Sequence, residues 1–69
     1  MIAQSRVIAK GRRIRDVERL AQRYGGRASM WVKKSSPPFE TGGSLYEYHW
    51  YEHAGIGRVE LKRKLVGER

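Results

Sequence analysis

The residues of this sequence best suited to chemistry lie in its last third. His49 stands between Glu47 and Tyr51, and Glu60 and Lys62 sit two positions apart in the run that follows. Histidine titrates near neutrality and serves as base or acid. Glutamate and lysine share those roles when their pKa values are shifted. Lysine and arginine steady negative charge as it develops, often the largest part of a catalytic effect. His49, Glu60, Glu47, Lys62 and Arg58 together suffice for a reaction that needs no metal. A ribose 2′-hydroxyl attacks the neighbouring phosphate, a base takes its proton, an acid protonates the leaving 5′-oxygen, and cations hold the phosphorane. Tyr51 adds a stacking surface or a proton donor. Lys33, Lys34 and Ser35, with Arg58 and Lys64, are the candidates for holding phosphates, although Lys33-Lys34-Ser35-Ser36 matches no specific motif.

The plain account of the same residues is a solvated sheet face. One face of an antiparallel sheet ordinarily meets water, and mixed charges keep it hydrated. The stripe Tyr46, Tyr48 and Trp50 reads as core rather than as a platform for bases. Asp16, Glu18 and Glu52 read as solvated or cap-like.

The chain must supply elements to position these groups. Its 69 residues make one small basic domain, 1–69, with 1–12 as an arm or a short element. A chain this short hides only about 60% of its unfolded surface on folding. There is no cysteine, which removes disulfides, thiolate metal sites and a thiol nucleophile. Two histidines are too few for an ordinary zinc site, so no metal or other cofactor is expected. Fifteen Lys and Arg against seven Asp and Glu leave a net charge of +8, which attracts polyanions. Met1–Ala9 is interrupted by Gln4, Ser5 and Arg6, so no signal peptide is read there, and no apolar run is long enough to span a membrane. These features fit a cytoplasmic protein with RNA as partner and no membrane.

Apolar residues Ile14, Val17, Leu20, Ala21 and Tyr24 fall on one stripe of a helix predicted over Arg13 to Tyr24, stopped by Gly25-Gly26. Before it, Ile2, Val7 and Ile8 suit a short strand, a helical turn or an arm. After it, Ala28 to Val32 fits strand or helical turn, and Trp31–Lys34 is expected to give the sheet a third strand. Lys33 to Pro38 then reads as a break, with a loop running on through Thr41-Gly42-Gly43. Leu45 to His53 and Arg58 to Leu65 form a C-terminal hairpin. The expected fold is α+β, an N-terminal helix packed on a small antiparallel sheet that ends in this hairpin. A four-residue turn, Ala54–Gly57, places Tyr48, Trp50, Val59 and Leu61 against the helix. That register pairs Tyr51 with Glu60, His49 with Lys62 and Glu47 with Lys64. A two-residue shift instead sets His49 opposite Glu60. Both put the chemistry-bearing residues on the face away from the helix.

Helix Ile14–Tyr24 with Gly25-Gly26, then Trp31-Val32-Lys33-Lys34-Ser35-Ser36, His49-Trp50-Tyr51-Glu52 and Gly57-Arg58-Val59-Glu60-Leu61-Lys62 follow in order. Together they resemble the short C-terminal ribonuclease toxin domains of bacterial contact-dependent and other polymorphic toxins. Some of these share the helix-then-sheet fold of barnase, the colicin ribonucleases and RelE. The resemblance covers about residues 13–64, and no single motif in it is diagnostic. It implies metal-independent hydrolysis of RNA, a nuclease neutralised by an acidic immunity or antitoxin protein, with Lys33, Ser35, His49, Glu60 and Lys62 in the site. One departure is that such domains usually end very long chains. Two other functions fit the residues: a non-catalytic RNA- or DNA-binding module, and a phage-type inhibitor that acts by protein interaction.

Overall fold

A computed structural model describes residues 4–68, so Ile2 lies outside the described residues. The elements are β1 (Arg6–Lys10), α1 (Val17–Tyr24), β2 (Trp31–Ser35), β3 (Phe39–Thr41), β4 (Ser44–His53) and β5 (Gly57–Glu68). The fold is α+β, as the alternation of patterns in the sequence implies, with one helix on a five-stranded antiparallel sheet. β4 is the centre of the sheet. It carries β5 along one edge, and β2 followed by β3 along the other, while β1 pairs with β2.

The expected third strand, Trp31–Lys34, is β2, which runs one residue further to Ser35, and the stretch beyond it, expected as loop, holds another strand, β3, at Phe39–Thr41. Only Ser36-Pro37-Pro38 interrupts them, because proline offers no N–H to the ladder. Ser36 patches the gap: its N–H donates to the Tyr48 carbonyl, and the Tyr48 N–H donates to Ser36 Oγ, both at 2.9 Å. Gly42 and Gly43, with φ of 58° and 82°, supply the left-handed pair that a two-residue hairpin turn requires.

The helix is shorter than its stripe. Gly11–Arg13 is a 3₁₀ turn and Ile14 has extended dihedrals. The three-residue spacing of Ile14, Val17 and Leu20 survives this, because tight turns also bring every third side chain to one side. Ile14, Val17 and Leu20 close over Trp31 as the core, with Ala9, Tyr24, Ala28, Tyr51 and Val59 packed around it. Trp31 donates its indole N–H to the Gly25 carbonyl at 3.1 Å, and its ring meets His53 edge-on at 5.3 Å. Gly26 allows this contact, since a Cβ there would lie 2.4 Å from His53 Nε2.

The helix covers the opposite sheet face from the expected one. Tyr51 and Val59 pack beneath it; Trp50 is buried on the other side, outside this cluster, and Leu61 is 54% exposed. The cause is the hairpin. His53 pairs with Gly57, which leaves a three-residue loop rather than four, and Tyr51 therefore pairs with Val59 rather than Glu60. A bulge at Glu60 and Leu61 then restores the expected pairs His49 with Lys62 and Glu47 with Lys64.

Candidate active site

Strand alternation and this register assemble the site. Residues directly opposed on neighbouring strands share a face. On the helix-bearing face, β2 contributes Lys33 and Ser35, β4 contributes Glu47, His49 and Tyr51, and β5 contributes Val59, Lys62 and Lys64. α1 covers only the end with Trp31, Tyr51 and Val59. Beyond it the face opens into a cleft of about 480 Å³. Lys33, His49, Tyr51, Glu60, Lys62 and Lys64 all line this cleft.

A relay runs into the cleft floor. Ser35 is fully buried, and its one hydroxyl proton is shared between the Ser36 carbonyl at 2.9 Å and Glu47 Oε1 at 3.0 Å. The same oxygen lies 3.0 Å from His49 Nε2. Arg6 Nη2 stands 3.5 Å from the other Glu47 oxygen. The bond to His49, then that from Ser35, hold the Glu47 carboxyl below the usual carboxylate range, with Arg6 adding its charge and burial opposing them. An ionised Glu47 accepts only, so Nε2 is the nitrogen that donates to it, and in the neutral ring the lone pair then sits on Nδ1. Nδ1 is shielded from solvent and has no hydrogen-bond partner among the described residues. Ser35 is thus placed to orient Glu47 and presents no hydroxyl to a phosphate, which corrects its expected role.

Glu60 also takes a different role. Its carboxylate receives Arg19 at 2.7 and 2.9 Å and the Tyr24 hydroxyl at 3.0 Å. Arg19 above all, then Tyr24, pull its pKa down to about 2 against the effect of burial. So weak a base, with both oxygens committed, cannot accept a proton near neutrality. Glu60 instead fastens α1 to β5. Its φ of 58° is unusual for a residue with a side chain and costs roughly 1–2 kcal/mol, which the fork of hydrogen bonds offsets. Arg19 is pushed further up by the same partner.

Burial, then the nearby Asp16, raises the Tyr51 pKa, so its hydroxyl stays a hydrogen-bond donor. Lys33 Nζ lies 5.9 Å from the centre of the Tyr51 ring. Lys34 and Arg58 are not in the site. Being adjacent in sequence, Lys33 and Lys34 point to opposite faces. Lys34 and Arg58 each meet Glu52 at 3.3 Å on the far side, where Trp50 Nε1 also donates to Glu52 at 3.1 Å. These donors keep the Glu52 carboxyl below its ordinary value, Trp50 first among them.

Arg13, Arg15 and Asp16 line the cleft and were not foreseen, nor was Arg6 beside Glu47. Asp16 reads from the sequence as solvated or cap-like, but α1 begins only at Val17, so Arg15 and Asp16 lie in the turn before it rather than on a helix face. Five cations, Arg13, Arg15, Lys33, Lys62 and Lys64, line the cleft against two carboxylates, Asp16 and Glu60. Both carboxylates already meet Arg19, at 3.8 Å for Asp16. Among the described residues, no three His, Cys, Asp or Glu side chains gather to hold a metal ion. No helix among them is long and apolar enough to cross a membrane. No family model matches the chain, and no curated protein or solved structure matches it significantly.

Proposed function

We propose that this chain is a toxin-like ribonuclease that cleaves RNA without a metal, using the cleft between α1 and the open end of the sheet. The observation that carries this reading is the Ser35–Glu47–His49 relay set among the cleft cations. His49 takes the proton of the 2′-hydroxyl on Nδ1, while Glu47 holds the ring and faces the positive charge that forms. The 2′-oxygen bonds to phosphorus, and the bond to the 5′-oxygen breaks as that oxygen is protonated. Lys62, paired opposite His49, supplies this proton or, with Lys33 and Lys64, balances the charge of the phosphorane. Tyr51 donates a hydrogen bond to the phosphate or stacks on a base. A substrate oxygen reaches Nδ1 only after neighbouring side chains shift. The resemblance to polymorphic toxin domains agrees with this chemistry and adds an acidic immunity protein and a cytoplasmic place of action.

The cations of the cleft favour a second reading, a non-catalytic RNA-binding module, since phosphate binding needs no histidine. One experiment separates the two. Purified protein is incubated with total RNA in EDTA. Discrete fragments with 2′,3′-cyclic phosphate ends support the ribonuclease; salt-sensitive binding with no cleavage of any RNA replaces it with the binding module.

A further inference from the structure

The bulge at Glu60 does more than close the hairpin. From His53–Gly57 to Tyr51–Val59, paired residue numbers keep the register set by the three-residue loop. Continued without a bulge, that register places Leu61 opposite His49 and Lys62 opposite Tyr48. Lys62 and Lys64 then turn to the face away from the cleft, and Leu61 turns into it. With the bulge, Val59 stays in the core while Lys62 and Lys64 stand beside His49 and Glu47. One inserted residue therefore reconciles an apolar requirement at one end of β5 with a cationic one further along. The residue at that point adopts a left-handed φ, a conformation glycine takes freely and glutamate does not. Its side chain is held from across the core by Arg19 and Tyr24 of α1.

We infer that Glu60 is a positioning residue for the cleft: its left-handed bulge, fastened to α1 by Arg19 and Tyr24, sets the register that brings Lys62 beside His49 and Lys64 beside Glu47. The importance of those lysines rests on the function proposed above; the register itself does not.

The chain has no cysteine, so paired cysteines report register directly. Directly opposed strand residues lie within disulfide reach, whereas residues on opposite faces do not. Tyr48 pairs with Arg63 in the observed register and with Lys62 in the slipped one. In the parent background Y48C/R63C should oxidise readily and Y48C/K62C should not. Glu60→Val, which disfavours the left-handed conformation, should reverse that preference. Arg19→Ala should shift part of the yield to Y48C/K62C, and adding Glu60→Gly should restore the parent pattern, because glycine keeps the bulge without its fastener. Binding of a fluorescent ten-residue oligouridylate gives a second readout. Turning two lysines out of the cleft should reduce its salt slope by about 1.4, whereas a loss of folded fraction alone leaves the slope unchanged. Parent-like cross-linking in folded Glu60→Val overturns the inference. Where Glu60→Val does not fold, parent-like cross-linking in Arg19→Ala overturns it. Cross-linking that follows the expected pattern in a protein that binds no RNA sustains the register device and removes only the functional reading.

Discussion

The two ends of one sheet face make opposite use of the same strands. At the covered end, Trp31, Tyr51 and Val59 lie under Ile14, Val17 and Leu20, and the Trp31 indole N–H is tied to the Gly25 carbonyl. At the open end, one pairing step along, Ser35, Glu47, His49, Lys62 and Lys64 gather where no helix reaches. The first end excludes water by packing; the second holds charged groups in place by hydrogen bonds. Glu60 and Arg19 mark the seam between them. Adjacent pairs on a twisted sheet can thus serve stability and chemistry separately, provided that something stops the helix from covering both. Here the extended Ile14 and the short α1 do so.

The sharpest way to break this division is at its apolar end. Trp31→Ala should cost about 3–5 kcal/mol. A domain of this size holds on the order of a few kcal/mol in total. The variant should lack a cooperative urea transition and near-ultraviolet circular dichroism at 25 °C. A folded Trp31→Ala would mean that the core lies elsewhere.

At the open end, His49→Ala should leave a folded protein whose RNA affinity is close to the parent's and whose cleavage is slower by about 10²–10⁴-fold. Cleavage at the parent rate removes His49 from the mechanism.

The seam should show in acid. The folded-state pKa of Glu60, about 2, lies below the ordinary 4.5, and those of Glu47 and Glu52 are also lowered. Stability from Glu60 is therefore complete above pH 4.5 and is lost as pH falls towards 2, and that from Glu47 and Glu52 is lost in the same direction. Glu60→Gln should cost about 1 kcal/mol at neutral pH, a figure kept small because Arg19 is 46% exposed. That difference should vanish near pH 2, as followed by urea midpoints. A constant difference across this range would show that the Glu60 charge does not hold the seam.

The smallest effect is the most selective. Lys33→Ala should weaken RNA binding a few-fold, independent of sequence, and lower the salt slope by about 0.7. Lys34→Ala, one residue away but facing Glu52, should change neither. Equal effects from the two would place the RNA across the sheet edge rather than in the cleft.

Much of this architecture was legible because it rests on local periodicity and charge. The Ile14, Val17, Leu20 and Tyr24 stripe and the two C-terminal strands follow from spacing alone. So does the +8 charge that points to a polyanion. The sequence by itself did not determine which face of β4 the helix covers. β4 carries aromatic residues on both faces, Tyr48 and Trp50 on one and Tyr51 on the other, so alternation has no preferred side. Nor does Ala54-Gly55-Ile56-Gly57 choose between a three- and a four-residue turn. Tertiary contacts made both choices: Val59 fits under α1 only with the shorter turn, and Lys62 returns to the side of His49 only through the Glu60 bulge. That bulge is held by Arg19, 41 residues earlier in the chain. A contact between residues so far apart leaves no local pattern to read, and for that reason Glu60 was legible as a carboxylate but not as the fastener it is.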